Sequence, residues 1–163
     1  LNNTTAILLW ALPIALCLHV FEEFVYPGGL RKWINAYKPF KPKGNFHYFI
    51  VNFSGIVGAF IIAMGASEIS DFRIYFFLVA LVGSNAISHI RGTMQKKQYC
   101  PGTISGSFLL LPLLLISYTY FLIINKVDIL SAIVCFCFGV FIGFYVAGVD
   151  IRKQDSHQPK NAA

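Results

Sequence analysis

Charge is what this 163-residue chain has least of. Lys, Arg, Asp and Glu together make up 12% of it, against roughly 25% in a soluble domain, while 56% is hydrophobic and 16% aromatic. A water-soluble globule is excluded. The four cysteines, Cys17, Cys100, Cys135 and Cys137, contain no CxxC pair, and three lie inside apolar runs, where Cys acts as a small hydrophobe. Neither a disulfide framework nor a zinc ribbon is expected. No basic segment precedes the first apolar run and no A-x-A-like site follows it, so that run is expected to stay in the membrane rather than be cleaved. The net charge of +6 is scattered over the ends of apolar segments, the pattern of topology signals rather than of a nucleic-acid surface.

What is present is a series of five apolar stretches, at residues 5–26, 45–66, 73–89, 104–125 and 127–149. Each is close to the roughly 20 residues that a helix needs to cross the hydrocarbon core. The expected fold is all-α, a polytopic membrane bundle of about five transmembrane helices. Residues 1–150 would form one transmembrane domain and residues 151–163 a polar cytoplasmic tail. Pro13 sits mid-segment, where a kink is tolerable in lipid, and Pro27-Gly28-Gly29 is a helix stop. Residues 67–72 read as a short polar turn. Glycines at 55, 58 and 65, and again at 139, 143 and 148, suggest faces for close helix packing. Residues 30–44 interleave Arg31, Lys32, Lys38, Lys41 and Lys43 with Trp33, Tyr37 and Phe40. Two readings fit that connector: a short amphipathic helix on an anionic leaflet, or an ordinary basic loop.

The basic residues also set an orientation. They gather after the first span, between the third and fourth (Arg91, Lys96, Lys97), and in the tail, whereas the opposite ends hold only Arg73 and Lys126. By the positive-inside rule the amino terminus is outside and the carboxyl terminus cytoplasmic, in a multi-pass protein expected in a bacterial plasma membrane. His19, Glu22, Glu23, His47, His89, Tyr99 and Asp150 then share one depth near the cytoplasmic leaflet, and helix packing can gather them.

His19, Glu22 and Glu23 are the strongest signal. On a helix, offsets of three and four residues place them on one arc of about 100°. A charge at the centre of a membrane helix costs roughly 2.5–3.5 kcal/mol on the insertion scale, less near the interface, so two adjacent carboxylates require an offset. A divalent cation supplies one; lying at the water boundary and pairing with Arg31 or Lys32 supplies another. His89 follows Asn85 by one helical turn, so both project from one face. His47, Asn85 and Asp150 are candidates for a wider site.

His19-x-x-Glu22-Glu23, Pro27-Gly28-Gly29, the separate His89 and the Tyr99-x-Pro101-Gly102 turn together resemble the HXXEE-domain family of small integral membrane proteins. The resemblance extends from the first span to the start of the fourth. It implies that these positions belong together and carries no settled activity with it.

His19, His89 and Glu23 form a donor set for a divalent metal with coordination positions left open. Zinc uses such a set in hydrolases, where the metal lowers the pKa of bound water to about 7; non-haem iron uses a similar triad. Zinc is the first expectation and iron the second. The expected function is an intramembrane metal-dependent hydrolase acting on a lipid or other membrane-partitioning substrate at the cytoplasmic leaflet. Glu22, Glu23 and Tyr99 are its expected catalytic residues, with a glutamate as general base. Intramembrane CAAX-type proteases are similar in using a Glu-Glu pair with histidines and an asparagine, but the spacing from Glu23 to Arg31 departs from their EExxxR pattern. The alternative is a binder or proton-coupled transporter in which the glutamate pair relays a proton, with a homo-oligomer supplying the pathway. A purely structural subunit is the third possibility.

Overall fold

The computed structural model describes residues 2–37, 45–69 and 71–147. These form six helices and, among the described residues, no strand: α1 (Asn3–Phe24), α2 (Leu30–Tyr37), α3 (Asn45–Ile69), α4 (Arg73–Lys96), α5 (Thr103–Ile123) and α6 (Ile129–Ala147). Four of them, α1, α3, α4 and α5, are long and apolar enough to cross a membrane; α6 is a shorter apolar helix. The chain is thus an all-helical membrane bundle of four such helices plus one shorter companion.

Local chemistry sets most of the boundaries. The Asn2 side chain accepts from Thr5 N–H at 2.8 Å and opens α1; Asp128 does the same for Ser131 N–H at the start of α6, also at 2.8 Å. These side-chain oxygens take up free N–H groups of a helix start. At the other end of α1, Gly28 has φ +67°, and an added Cβ there would lie 3.1 Å from two backbone carbonyl oxygens. Only glycine suits both demands. Lys97, with φ 51°, closes α4.

Two boundaries differ from the sequence reading. Ser67 and Glu68 belong to α3 rather than to a polar turn, because nothing in Ser67-Glu68-Ile69 breaks a helix and Glu is a good helix former. Helix α4 continues well past His89 and through Arg91-Gly92. Gly92 is there for contact rather than as a stop: an added Cβ would lie 2.7 Å from the Trp33 ring, which packs α2 against the end of α4. Within residues 30–44 the chain from Leu30 to Tyr37 is helical, while Lys38, Phe40, Lys41 and Lys43 lie outside the described residues.

Helix α4 is the centre of the bundle. A Cβ on Gly139 would fall 2.5 Å from Phe77 O and 2.7 Å from Ala80 Cβ, and one on Gly143 would strike Ser84 Oγ. The register 139 to 77–80 and 143 to 81–84 makes α6 run parallel to α4, backbone against backbone, as small residues permit in lipid. Gly55 and Gly58 behave otherwise. An added Cβ at either meets nothing within 4 Å, so these two glycines face no neighbour within the described chain; α3 is a peripheral helix that lies chiefly along α1.

Phe72, Phe76 and Phe121 form an aromatic cluster where α4 begins and α5 ends, with ring centroids 4.7 Å apart for Phe72 and Phe121 and 6.0 Å for Phe76 and Phe121. Deeper in the bundle the buried Tyr75 hydroxyl donates to the Leu8 carbonyl at 2.9 Å and lies 2.8 Å from Ser117 Oγ. This ties α4 to α1 and α5.

Candidate metal centre

The carboxyl ends of α1 and α4 meet the amino end of α5 at one end of the bundle. Around that junction, His19 is 2% exposed, Glu23 3%, Glu22 7% and His89 7%. The two glutamates are therefore enclosed by protein. Their partners are internal.

Glu23 Oε1 lies 3.3 Å from His19 Nε2 and 2.9 Å from His89 Nε2. The imidazoles stand edge to face, with centroids 5.2 Å apart at 81°, and one ligand atom from each of His19, Glu23 and His89 falls within 4.8 Å of the others. Asn85, one turn before His89, places its side-chain amide at 3.2 Å from His19 Nε2 and 3.3 Å from His89 Nε2. Four side chains from two helices thus converge on one point.

The other nitrogen of each ring has its own partner. His19 Nδ1 is 2.8 Å from Ser105 Oγ, and His89 Nδ1 is 3.4 Å from Cys100 Sγ. Metal-binding histidines are held in this way, one nitrogen on the protein and the second left for the ion. An imidazole that donates through Nδ1–H turns an acceptor at Nε2 toward the carboxylate oxygen, whereas one that accepts at Nδ1 donates to that oxygen through Nε2–H. Acceptors at that spacing repel unless a cation or a proton lies among them.

Glu22 faces elsewhere. Its Oε1 accepts from the Tyr99 hydroxyl, from Gly102 N–H at 3.0 Å and from Ile104 N–H at 2.9 Å, and its Oε2 accepts from Ser105 N–H at 2.6 Å. The first N–H groups of α5 would otherwise have no partner in an apolar setting. Tyr99 reaches Glu22 and not the His19–Glu23–His89 point. Desolvation, then the hydrogen bond and charge of Glu22, push the Tyr99 phenol up from its ordinary value, which keeps it protonated and donating.

Gly102, with φ +95°, lies against both imidazoles: an added Cβ would be 2.9 Å from His19 Cε1 and 3.0 Å from His89 Nδ1. Thr93 anchors the same segment to α4, since Thr93 Oγ1 accepts from Cys100 N–H at 3.0 Å and lies 2.8 Å from Thr103 Oγ1. After a first α-helical turn, Thr103–Ser105, helix α5 continues with a π-helical stretch, Gly106–Leu110, where Gly106 sits close enough to Ala86 that a Cβ would fall 3.1 Å from the alanine's own.

Of the residues singled out from sequence, His19, Glu23, His89 and Asn85 come together, and Glu22 and Tyr99 form an adjoining cluster. His47 lies on the first turn of α3; its side chain, and Asp150 altogether, fall outside the described residues. Sequence reasoning missed Ser105 and Cys100. Both were findable: a helix starting after Pro101-Gly102 in lipid must have its free N–H groups met, and Cys100 is the one cysteine outside the apolar runs, within the Tyr99-x-Pro101-Gly102 turn.

Neither a curated protein nor a solved structure matches the chain. The family model described as "Protein of unknown function with HXXEE motif" matches residues 10–117, a range that contains His19, Glu22, Glu23, Asn85, His89 and the whole Tyr99–Ser105 segment, and the chain belongs to that HXXEE family.

Proposed function

We propose that this protein is an intramembrane metal-dependent enzyme, with zinc as the first expectation and iron as the second. One observation carries the reading. Nε2 of His19 and of His89 and Oε1 of Glu23 face a common point, while Nδ1 of each ring is occupied by Ser105 or Cys100. Two histidines and a carboxylate are the donor set with which catalytic zinc keeps a coordination position for water or substrate. Asn85 faces the same point with its Nδ2 and would offer its oxygen to an ion on turning its amide over.

The reaction class is hydrolysis of a lipid or another membrane-partitioning substrate. A metal of this kind brings bound water to a pKa near 7 and so supplies hydroxide at neutral pH. The general base expected from sequence, Glu22, has its oxygens engaged by four donors, so hydroxide formation rests on the ion. Glu23 is the carboxylate ligand. The apolar walls of α1, α4 and α5 favour a substrate that arrives from the bilayer, and Arg31, Lys32, Arg91, Lys96 and Lys97 at the same end favour the cytoplasmic leaflet.

Metal analysis of the purified chain under non-chelating conditions tests this. Wild type is expected to hold one divalent ion per chain, and His19→Ala and His89→Ala are each expected to lose it. A metal-free wild type that stays metal-free after incubation with zinc or ferrous ion would overturn the reading.

The contact chain His19–Glu23–His89 also suits a proton relay in a carrier, because a proton can take the place of the cation. Glu22 and Glu23 address different partners, however, which weakens the shared-proton form of that idea. Proton flux in liposomes that disappears on Glu23→Gln, in a protein without bound metal, would favour the carrier.

A further inference from the structure

We infer that Glu22 is a positioning residue: it fastens the Tyr99–Ser105 segment over the two imidazoles, and through that segment fixes which nitrogen of each ring faces the ion. The inference rests on the metal-centre reading and explains why the motif needs two adjacent carboxylates. On a helix, neighbouring positions point about 100° apart. Glu23 thereby faces α4 and the histidines, while Glu22 faces the start of α5.

The segment between them does two jobs. The Gly102 backbone rests on both rings, and Pro101, Gly102 and Cys100 are buried. Ser105 and Cys100 hold the two Nδ1 atoms. Glu22 joins this roof to α1 through four donors, three of them backbone N–H groups of the segment itself. Oxygen acceptors suit all four. A glutamine there would keep one carbonyl oxygen and turn an NH₂ group toward N–H donors, so at least one backbone donor would be left without a partner. With the roof loosened, Ser105 would no longer hold His19 Nδ1 and the ring would be free to turn, which is how losses in the shell behind the ligands weaken metal sites, typically by 10–100-fold in affinity.

The test uses the full chain in detergent, loaded with Co²⁺ as a spectroscopic probe, and reads the visible ligand-field spectrum and the rate of release to excess chelator. Glu22→Gln is expected to bind one Co²⁺ per chain, to release it about 10–100-fold faster than wild type, and to show an altered spectrum. Tyr99→Phe removes one of the four donors at the exposed rim and is expected to move both readouts in the same direction by less. Tyr75→Phe, a buried hydrogen-bond loss far from the centre, is expected to lower thermal stability while leaving release rate and spectrum unchanged.

Wild-type release and spectrum in both Glu22→Gln and Tyr99→Phe would overturn the inference, as would equal acceleration by Tyr75→Phe. If Glu22→Gln fails to fold, Tyr99→Phe decides. A wild type that binds no Co²⁺ defeats the metal reading itself, whereas binding with unaltered release in the variants defeats only the role given to Glu22.

Discussion

At the residue scale, space beside the two imidazoles is rationed by Gly102 and polarity by Glu22. A methyl group on Gly102 would press on His19 and His89 together, and its φ of +95° already disfavours any side chain. Gly102→Ala is therefore expected to cost about 1–2 kcal/mol for the backbone alone and to reduce the bound metal, measured by thermal unfolding and by metal content. Retention of a full ion at unchanged stability would show that the segment is less closely applied to the rings. Tyr99 gives a pH prediction. Its phenol is raised from the model-compound value by desolvation and by Glu22, so the neutral, donating form is favoured in the folded protein. The stabilisation is present below the ordinary phenol pKa of about 10 and is lost only as pH rises through the higher folded value. Ultraviolet titration of folded wild type and Tyr99→Phe should therefore give the same phenolate signal near pH 10; a difference of about half a tyrosine there, as an unshifted phenol gives, would contradict the raised value. Tyr75→Phe should destabilise by about 0.5–2 kcal/mol, the range for polar contacts within membrane bundles.

At the scale of the helices, α4 and α6 meet through Gly139 and Gly143, and α3 presents Gly55 and Gly58 to open space. The same residue type thus has opposite sensitivity at two places. Gly143→Leu is expected to cost about 1–3 kcal/mol by overpacking against Ser84 and the Leu81 carbonyl, read as a lower unfolding temperature in detergent, whereas Gly58→Leu should stay within about 0.5 kcal/mol of wild type. A reversal of that order would mean that α3 and not α6 is the packed partner. Periodic glycine was visible in both segments from the sequence. Which stripe faces a neighbour was not, because helical spacing gives a face but not what lies opposite it. The extension of α4 past Arg91-Gly92 has the same origin: glycine reads as a stop until Trp33 is seen to occupy the space that a side chain would need.

For the whole molecule, five helices alternate so that the ends of α1, α4 and α6 and the starts of α3 and α5 lie together, with the metal-capable residues at that end. Among the described residues Arg31, Lys32, Arg91, Lys96 and Lys97 lie at that end and Arg73 and Lys126 at the other, which predicts a cytoplasmic site. Gln98→Cys should be shielded from an impermeant maleimide in intact cells and Lys126→Cys should react; the opposite pattern would put the site outside. The all-helical membrane bundle, its family and the candidate residues His19, Glu22, Glu23 and His89 were determined by the sequence alone, because hydropathy, helical spacing and the cost of buried charge are local properties that a linear chain records. The division of labour between Glu22 and Glu23 was decided only by tertiary structure. Both are glutamates at the same helix end, and their roles differ because α4 brings His89 and Asn85 to one while α5 brings backbone N–H groups to the other. Those neighbours come from residues more than sixty positions away, and their arrival depends on packing that no single segment encodes.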